Sequence, residues 1–326
     1  MSEQHDITFH SMGSDIRLLI GLPLLRGAHA PAAAAWRERA YIEDFAARLS
    51  RFRADSELSV LNRDPRPEVP ASSLLRTAVR AGIWAARSSG GLVDPTLAGA
   101  LERAGYASSL DGCQPASLEQ ALAAAPPRRP ARSHPEQLWR RVSVDDRNGT
   151  VRRPAGIEID TGGTGKGLCA DAVAHHLRHY TRFVVDCGGD LAIGGVGAQL
   201  EPYEIEIEHP LTGEAIRTVR VSAGGVATSG LNVRVWRDTD GGFAHHLLDP
   251  ATGRPAWTGL IGVTALAPTA LEAETLSKAA LLLGSPGARR VLSEHGGLVV
   301  HDDGDVEEIG PLDRPRAALT LSGSAA

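Results

Sequence analysis

Alternating apolar and polar positions open the chain. Residues 7–20 alternate around Met12-Gly13-Ser14 and predict a strand with a bulge or turn at Gly13. Helical spacing takes over across Ala32–Phe52, where Trp36, Ala40, Ile42, Phe45, Ala46 and Leu49 form an amphipathic stripe. Ser50–Asn62 reads as a loop followed by a short helical turn. Ser72–Arg87 reads as another helix, closed by Ser88-Ser89-Gly90-Gly91. Residues 107–138 carry Pro126, Pro127, Pro130 and Pro135 among small and basic residues, which predicts a surface excursion rather than core. Val142–Arg152 predicts a hairpin that turns at Asn148-Gly149.

Gly156–Tyr180 reads as strand, glycine turn and helix. Ile157 and Ile159 alternate with polar neighbours, Gly162, Gly163, Gly165 and Gly167 follow, and Leu168, Ala172, Val173, Leu177 and Tyr180 share a helical stripe. Phe183–Asp186 is a buried-looking strand, and Tyr203–His209 pairs with Ile216–Val221 around Thr212-Gly213. Gly225–Gly230 is a short strand into a turn, and Ala244–Pro250 leads into another turn at Ala251–Pro255. Val263–Pro268 is a strand that feeds a helix capped by Thr269 and Glu272. Leu271, Leu276, Ala279, Ala280 and Leu283 supply that helix's apolar face, and Gly284 ends it. Helices and hairpins mingle without strict βαβ alternation. The pattern predicts an α+β fold: a single domain over residues 1–310 with a mixed or antiparallel sheet, flanking helices and two lobes, and a frayed tail at 311–326.

Composition narrows the function. The 326 residues are 42% hydrophobic and 22% charged, with a formal net charge of -5. No global basic field argues for nucleic acid. Three cysteines, Cys113, Cys169 and Cys187, lack paired spacing, which argues against a disulfide framework or a structural zinc site. The N-terminus shows no basic segment followed by an apolar one, and no run is apolar enough to span a membrane. The expectation is a cytoplasmic protein without membrane insertion.

The turn at Asp160–Gly167 is the first chemical candidate. A glycine turn entering a helix aims unpaired backbone N–H groups outward, and Lys166 adds positive charge, so the turn suits a phosphate. It is not a P-loop, because Asp160 stands at the first glycine position and Gly167 follows the lysine. By itself the turn serves tight strand-to-helix packing equally well.

Several short motifs, taken in order, resemble the FAD:protein FMN transferases of the ApbE type. They are Met12-Gly13-Ser14, Ser56-Glu57-Leu58 with Asn62, Gly91–Thr96, Asp160–Gly167 with Asp171, Gly188-Gly189-Asp190, Thr228-Ser229-Gly230, His246–Pro250, Thr252-Gly253 and the helix Ala273–Gly284. The resemblance covers roughly residues 7–310. It implies an α+β fold holding FAD in a cleft between two lobes, with magnesium at the pyrophosphate. The implied reaction joins FMN to a Thr or Ser of a partner protein and releases AMP.

That resemblance assigns expected roles. Gly163, Gly165, Lys166, Gly188 and Gly189 would meet the diphosphate, and Gly163 would also offer a carbonyl to the metal. Asp160 and Asp190 would orient the turns or touch ribityl hydroxyls, while Asp171 reads equally as a cofactor contact or a helix first-turn charge. Met12, Asp94, Thr96, Ser229 and Gly230 would line the flavin or adenine pocket. His246 would be the proton acceptor, with His245 the weaker choice.

One departure stands out. Where the family's terminal helix carries an Asp and, one turn later, a Thr or Ser as metal ligands, this chain has Glu274 and Lys278. Read alone, the two form a surface i,i+4 ion pair. At metal positions, the ammonium would instead take the metal's place beside the diphosphate with Glu274 holding it. This makes Glu274 a doubtful metal ligand and adds it and Lys278 to the catalytic candidates. Two alternatives follow from the altered pair: a non-catalytic FAD-binding protein, and an FAD diphosphatase yielding FMN and AMP.

Overall fold

The structure is a computed structural model describing residues 4–109, 116–237 and 241–312. Eight strands build the main sheet: β1 (His5–Ser11), β2 (Ser14–Ile20), β3 (Phe183–Cys187), β4 (Asp190–Gly194), β5 (Gly224–Gly230), β6 (Leu260–Ala267), β7 (Gly297–His301) and β8 (Val306–Ile309). They lie side by side in chain order, each antiparallel to the next. The sheet is therefore a meander whose connections carry everything else. The alternating stretch at 7–20 is two strands, not one. Met12 and Gly13 both have positive φ, 53° and 66°, which matches the twist of a two-residue hairpin turn.

The β2–β3 connection holds α1 (Pro31–Leu49), α2 (Glu57–Arg63), α3 (Ser73–Ser88), α4 (Ala98–Arg103), α5 (Leu118–Ala124) and α6 (Gly165–His176). It also holds a small sheet of Glu68–Pro70, Ser143–Asp145 and Thr150–Arg152, whose last two strands are the predicted hairpin. Between β4 and β5 lie α7 (Val196–Leu200) and the predicted hairpin of Tyr203–Glu208 with Ala215–Val221. Short pairs, Val235–Arg237 with Phe243–His245 and Leu248–Asp249 with Arg254–Pro255, separate β5 from β6. α8 (Ala270–Leu292) joins β6 to β7. Hydroxyl caps fix the helix starts: Ser56, Ser72, Ser117 and Thr269 each accept from the N–H three residues on. The predicted stop at Gly284 is a kink, with φ at 69°, after which the helix resumes through Pro286.

α6 packs on β3 and β4, α8 on β5 and β6, and the two helices pack against each other. Their approach is close at Gly167, where a Cβ would sit 2.7 Å from the Ala270 carbonyl oxygen. The core falls into two principal clusters. One gathers Ile16, Leu18 and Val185 with Ile42, Phe45 and Val173; the other gathers Val226, Val263 and Val299 with Leu231, Leu281 and Leu292.

Three local expectations change. The 107–138 excursion has an apolar side, since Leu118, Ala121 and Ala131 are buried in the larger cluster. Residues 156–159 are not a strand, because a side chain does the pairing there: Asn62 Nδ2 donates to the Ile159 carbonyl and Asn62 Oδ1 accepts from the Ile159 N–H, both at 2.8 Å. α6 begins three residues before Leu168; of the predicted stripe Val173, Leu177 and Tyr180 are buried while Leu168 and Ala172 are only partly so, and Gly167, Cys169 and Ala170 are buried beside them. Cys113 and the tail from residue 313 lie outside the described residues. Among the described residues no helix is long and apolar enough to cross a membrane.

The Asn62 bracket gives a stability prediction. Asn62→Ala leaves both backbone groups of Ile159 without their partners and should cost roughly 1–3 kcal/mol. The urea midpoint should fall with an unchanged slope.

Candidate functional site

A cavity of about 740 Å³ opens where the clusters meet, a volume within the usual range for small-molecule sites. Its floor is the turn Asp160–Thr164 and the first residues of α6. The Thr161 carbonyl accepts from Thr164 N–H and Gly165 N–H, and its hydroxyl donates to the Leu49 carbonyl at 3.2 Å, tying the turn to α1. Gly163 and Gly165 both line the cavity, yet nothing in the chain demands glycine at either. Neither has positive φ, and added Cβ atoms would meet only Val93 at 3.4 Å and Thr161 at 3.9 Å. The space they leave faces the cavity.

Lys166 crosses from α6 to the β3–β4 turn. Its Nζ donates to the Gly188 carbonyl at 2.9 Å and lies 2.8 Å from Asp190 Oδ2. Burial works against its charge, but the carboxylates of Asp190 and Glu274 outweigh that and hold the ammonium above the ordinary lysine value. Gly188 sits at φ +65° against Ser14, where a side chain would collide, so this turn admits glycine only.

The opposite side of the floor comes from α8. Glu274 is fully buried: Oε2 accepts from Gly167 N–H at 2.8 Å and Oε1 from Lys278 Nζ at 2.7 Å. The pair is thus no surface ion pair, because α6 covers Glu274 while Lys278 reaches the cavity. Burial pushes the Glu274 carboxyl up, with Lys278 pulling against it. Ser277, the residue before Lys278, pairs with Ser229 of β5 at 2.8 Å and so fixes this turn of α8 on the sheet.

Of the predicted site residues, Met12, Asp94, Asp160, Gly163, Gly165, Lys166, His246 and Lys278 line the cavity. Thr96, Gly188, Gly189, Asp190, Ser229, Gly230 and Glu274 do not line it. Thr96 donates to Asp94 Oδ1 at 2.6 Å, while Asp94 Oδ2 is buried without a partner. Burial raises the Asp94 carboxyl, and Thr96 opposes the rise. Asp171 does not line the cavity. Its two oxygens accept from the N–H groups of Ala270 and Leu271, so it caps α8 rather than meeting a cofactor.

His246 faces the cavity with a buried, unpartnered Nδ1. Burial, then the charges of Arg234, His245, Lys278 and Lys166, carry its pKa well below the usual histidine value. It is a neutral imidazole at neutral pH. His245 points away into the core, edge-on to Trp257 with ring centroids 4.7 Å apart.

One wall has no counterpart in the sequence reading. The Arg51 guanidinium lies over Phe52 and Tyr106, at 4.2 and 4.5 Å from the ring centroids, and 3.5 Å from Asp160 Oδ1. Burial raises Asp160, and Arg51 counters it. Arg234 faces Tyr106 at 5.7 Å. The signal available was the interleaved Arg51-Phe52-Arg53 just before the Ser56 cap. Such a wall suits a flat aromatic ligand that also carries negative charge.

The residues do not fit magnesium. That ion demands near-octahedral oxygen ligands at about 2.0–2.1 Å. Both Glu274 oxygens are already engaged, one of them by an ammonium. Among the described residues no group of three or more His, Cys, Asp or Glu side chains could hold a metal ion.

Residues 12–300 match the model of the ApbE family. The chain is 34% identical over 144 residues to a FAD:protein FMN transferase of Salmonella typhimurium, an alignment covering 43% of this chain and 41% of that protein. The match therefore spans about two fifths of that relative's length. A longer alignment, 30% identical over 289 residues, relates it to a FAD:protein FMN transferase of Treponema pallidum, covering 84% of this chain and 76% of that one. The crystal structure of the ApbE protein of Thermotoga maritima superposes with a TM-score of 0.76 at 25% identity, over 94% of this chain and 97% of that one. The flavin transferase ApbE of Vibrio cholerae gives 0.72 at 20% identity, over 95% and 98%.

The buried histidines set a pH dependence. His245 falls from 6.5 to about 4 because it is desolvated, so below pH 6.5 the unfolded chain binds a proton that the folded chain refuses. Stability should therefore drop as pH falls from 6.5 towards 4, by on the order of 3 kcal/mol from this group. Raised carboxyls such as Asp94 act in the opposite sense. Comparing thermal midpoints with His245→Gln isolates the contribution, and the variant should show the shallower slope across that window.

Proposed function

This chain belongs to the ApbE family, and from that premise we propose that it transfers FMN from FAD to a Ser or Thr hydroxyl of a protein acceptor. The observation that carries the proposal is a convergence in one cleft: a backbone-lined glycine turn, two lysine ammoniums and a neutral imidazole. Attack on an anhydride phosphorus needs compensation of charge growing on its oxygens, and a group to take the hydroxyl proton. Lys166 and Lys278, which both line the cleft, meet the first need. His246 meets the second.

The steps balance. The acceptor oxygen bonds to the FMN-side phosphorus, the anhydride bond to the AMP phosphate breaks, and AMP leaves with the bonding pair. The hydroxyl proton passes to His246, which is free to accept it because burial and the surrounding cations keep the ring neutral. The aromatic wall of Phe52 and Tyr106 offers a face to a flat ring, and Arg51 and Arg234 favour the dinucleotide's negative charge. Relatives named as transferases favour transfer over hydrolysis or binding alone.

Incubation with FAD tests the reading. AMP should appear only when a protein acceptor is present, together with an FMN adduct on Ser or Thr by mass spectrometry. AMP release without acceptor would mark a diphosphatase instead. His246→Gln should keep FAD binding but slow AMP release roughly 10²–10⁴-fold. Gly163→Ala should leave the unfolding free energy from urea titration within about 0.5 kcal/mol of the parent, since the added Cβ would meet only Val93 at 3.4 Å. The same change should weaken FAD binding about tenfold by filling space meant for the ligand.

A further inference from the structure

The Glu274–Lys278 pair occupies the place where the resemblance implies a divalent cation, and its chemistry is that of a built-in cation. Glu274 divides its oxygens between two jobs. One holds the Gly167 N–H and fixes the first turn of α6, and the other holds Lys278 Nζ at 2.7 Å. An ammonium has three donors, so this tether leaves two of the Lys278 donors for the cavity that it lines. Lys166, in the same cavity, donates to the Gly188 carbonyl and lies 2.8 Å from Asp190 Oδ2. Two positive charges thus stand at one cavity floor, each held by a buried carboxylate, Asp190 and Glu274. A magnesium ion placed there would face an ammonium where it needs oxygen.

We propose that Lys278 replaces the divalent cation, so that Lys166 and Lys278 together grip the diphosphate of FAD and binding proceeds without metal. The inference rests on the flavin-transfer reading and deepens it. Lys278 contacts the substrate, while Glu274 is a positioning residue that aims Lys278 and anchors α6. Each ammonium is already paired with a carboxylate, so the two lysines supply local donors rather than net charge; the further positive charge facing the cavity comes from Arg51 and Arg234.

The test measures FAD and ADP binding by calorimetry on the full chain, with excess EDTA and again with excess magnesium. ADP carries the diphosphate without the flavin. The wild type should bind both equally in the two buffers. Lys278→Met should weaken both about ten- to a hundredfold, the effect of losing a charge-assisted contact, and magnesium should not restore them. The double variant Glu274→Asp with Lys278→Thr puts oxygen ligands in place of the ammonium and should gain dependence on magnesium. A second double variant, Glu274→Gln with Lys278→Met, leaves no buried carboxylate facing a missing lysine; it should weaken both ligands as Lys278→Met does, and it covers the case in which that single variant fails to fold. Wild-type binding that vanishes in EDTA and returns with magnesium would overturn the proposal. ADP binding that ignores EDTA while FAD does not bind would uphold the two-lysine grip and refute the flavin reading. Failure of both ligands in both buffers would refute both.

Discussion

A single buried carboxylate organises this protein's cleft. Glu274 is sealed between α6 and α8, and its two oxygens tie a backbone N–H of one helix to a lysine of the other. A carboxylate so placed costs several kcal/mol in lost hydration and persists only because both oxygens are satisfied. Removing either partner would leave charge or lone pairs stranded, so the distance between the helices, the direction of Lys278 and the entry angle of α6 are set together. The pair contributes little to net stability for the same reason. What it supplies is geometry.

The rest of the fold serves that junction. A meander sheet needs only short links, yet this one sends long excursions out of β2–β3 and β5–β6, and both return to the same cleft. The first delivers Arg51, Asp94, Tyr106 and the glycine turn. The second delivers Arg234 and His246. Asp171 works at the same seam by capping α8 from α6, while Ser229 and Ser277 lock α8 to β5. The functional groups therefore sit on segments whose ends are held by regular structure, and the cleft inherits the rigidity of the sheet and the two helices.

Much of this was legible in the sequence, and the failures are instructive. α1 and α3 were marked to within a few residues, although Trp36 and Ala40 of the predicted α1 stripe are exposed while Ile42, Phe45 and Leu49 are buried; Asn148-Gly149 and Thr212-Gly213 marked hairpins, because these signals are local. Residues 157–159 misled because alternation alone cannot reveal that Asn62, far away in sequence, satisfies the backbone of Ile159. Asp171 read equally as a cofactor contact or a first-turn charge, and sequence could not show its actual partners, because the N–H groups it caps belong to a helix about a hundred residues later. Glu274 and Lys278 were recognisable as a pair from their spacing, but spacing says nothing of burial, and the packing of α6 over Glu274 turned a surface pair into a floor. The Arg51–Tyr106 wall was missed outright, since its members are joined only by the folded cleft.

The central claim is that a flavin dinucleotide lies in this cleft with its diphosphate on two tethered ammoniums. The most direct measurement is a structure of the complex with FAD grown in the presence of EDTA. The account predicts the diphosphate oxygens at about 2.7–2.9 Å from both Lys166 Nζ and Lys278 Nζ, with the anhydride phosphorus exposed towards His246. A flavin bound outside the cleft, or a diphosphate that orders only when a metal ion stands between it and Glu274, would contradict it.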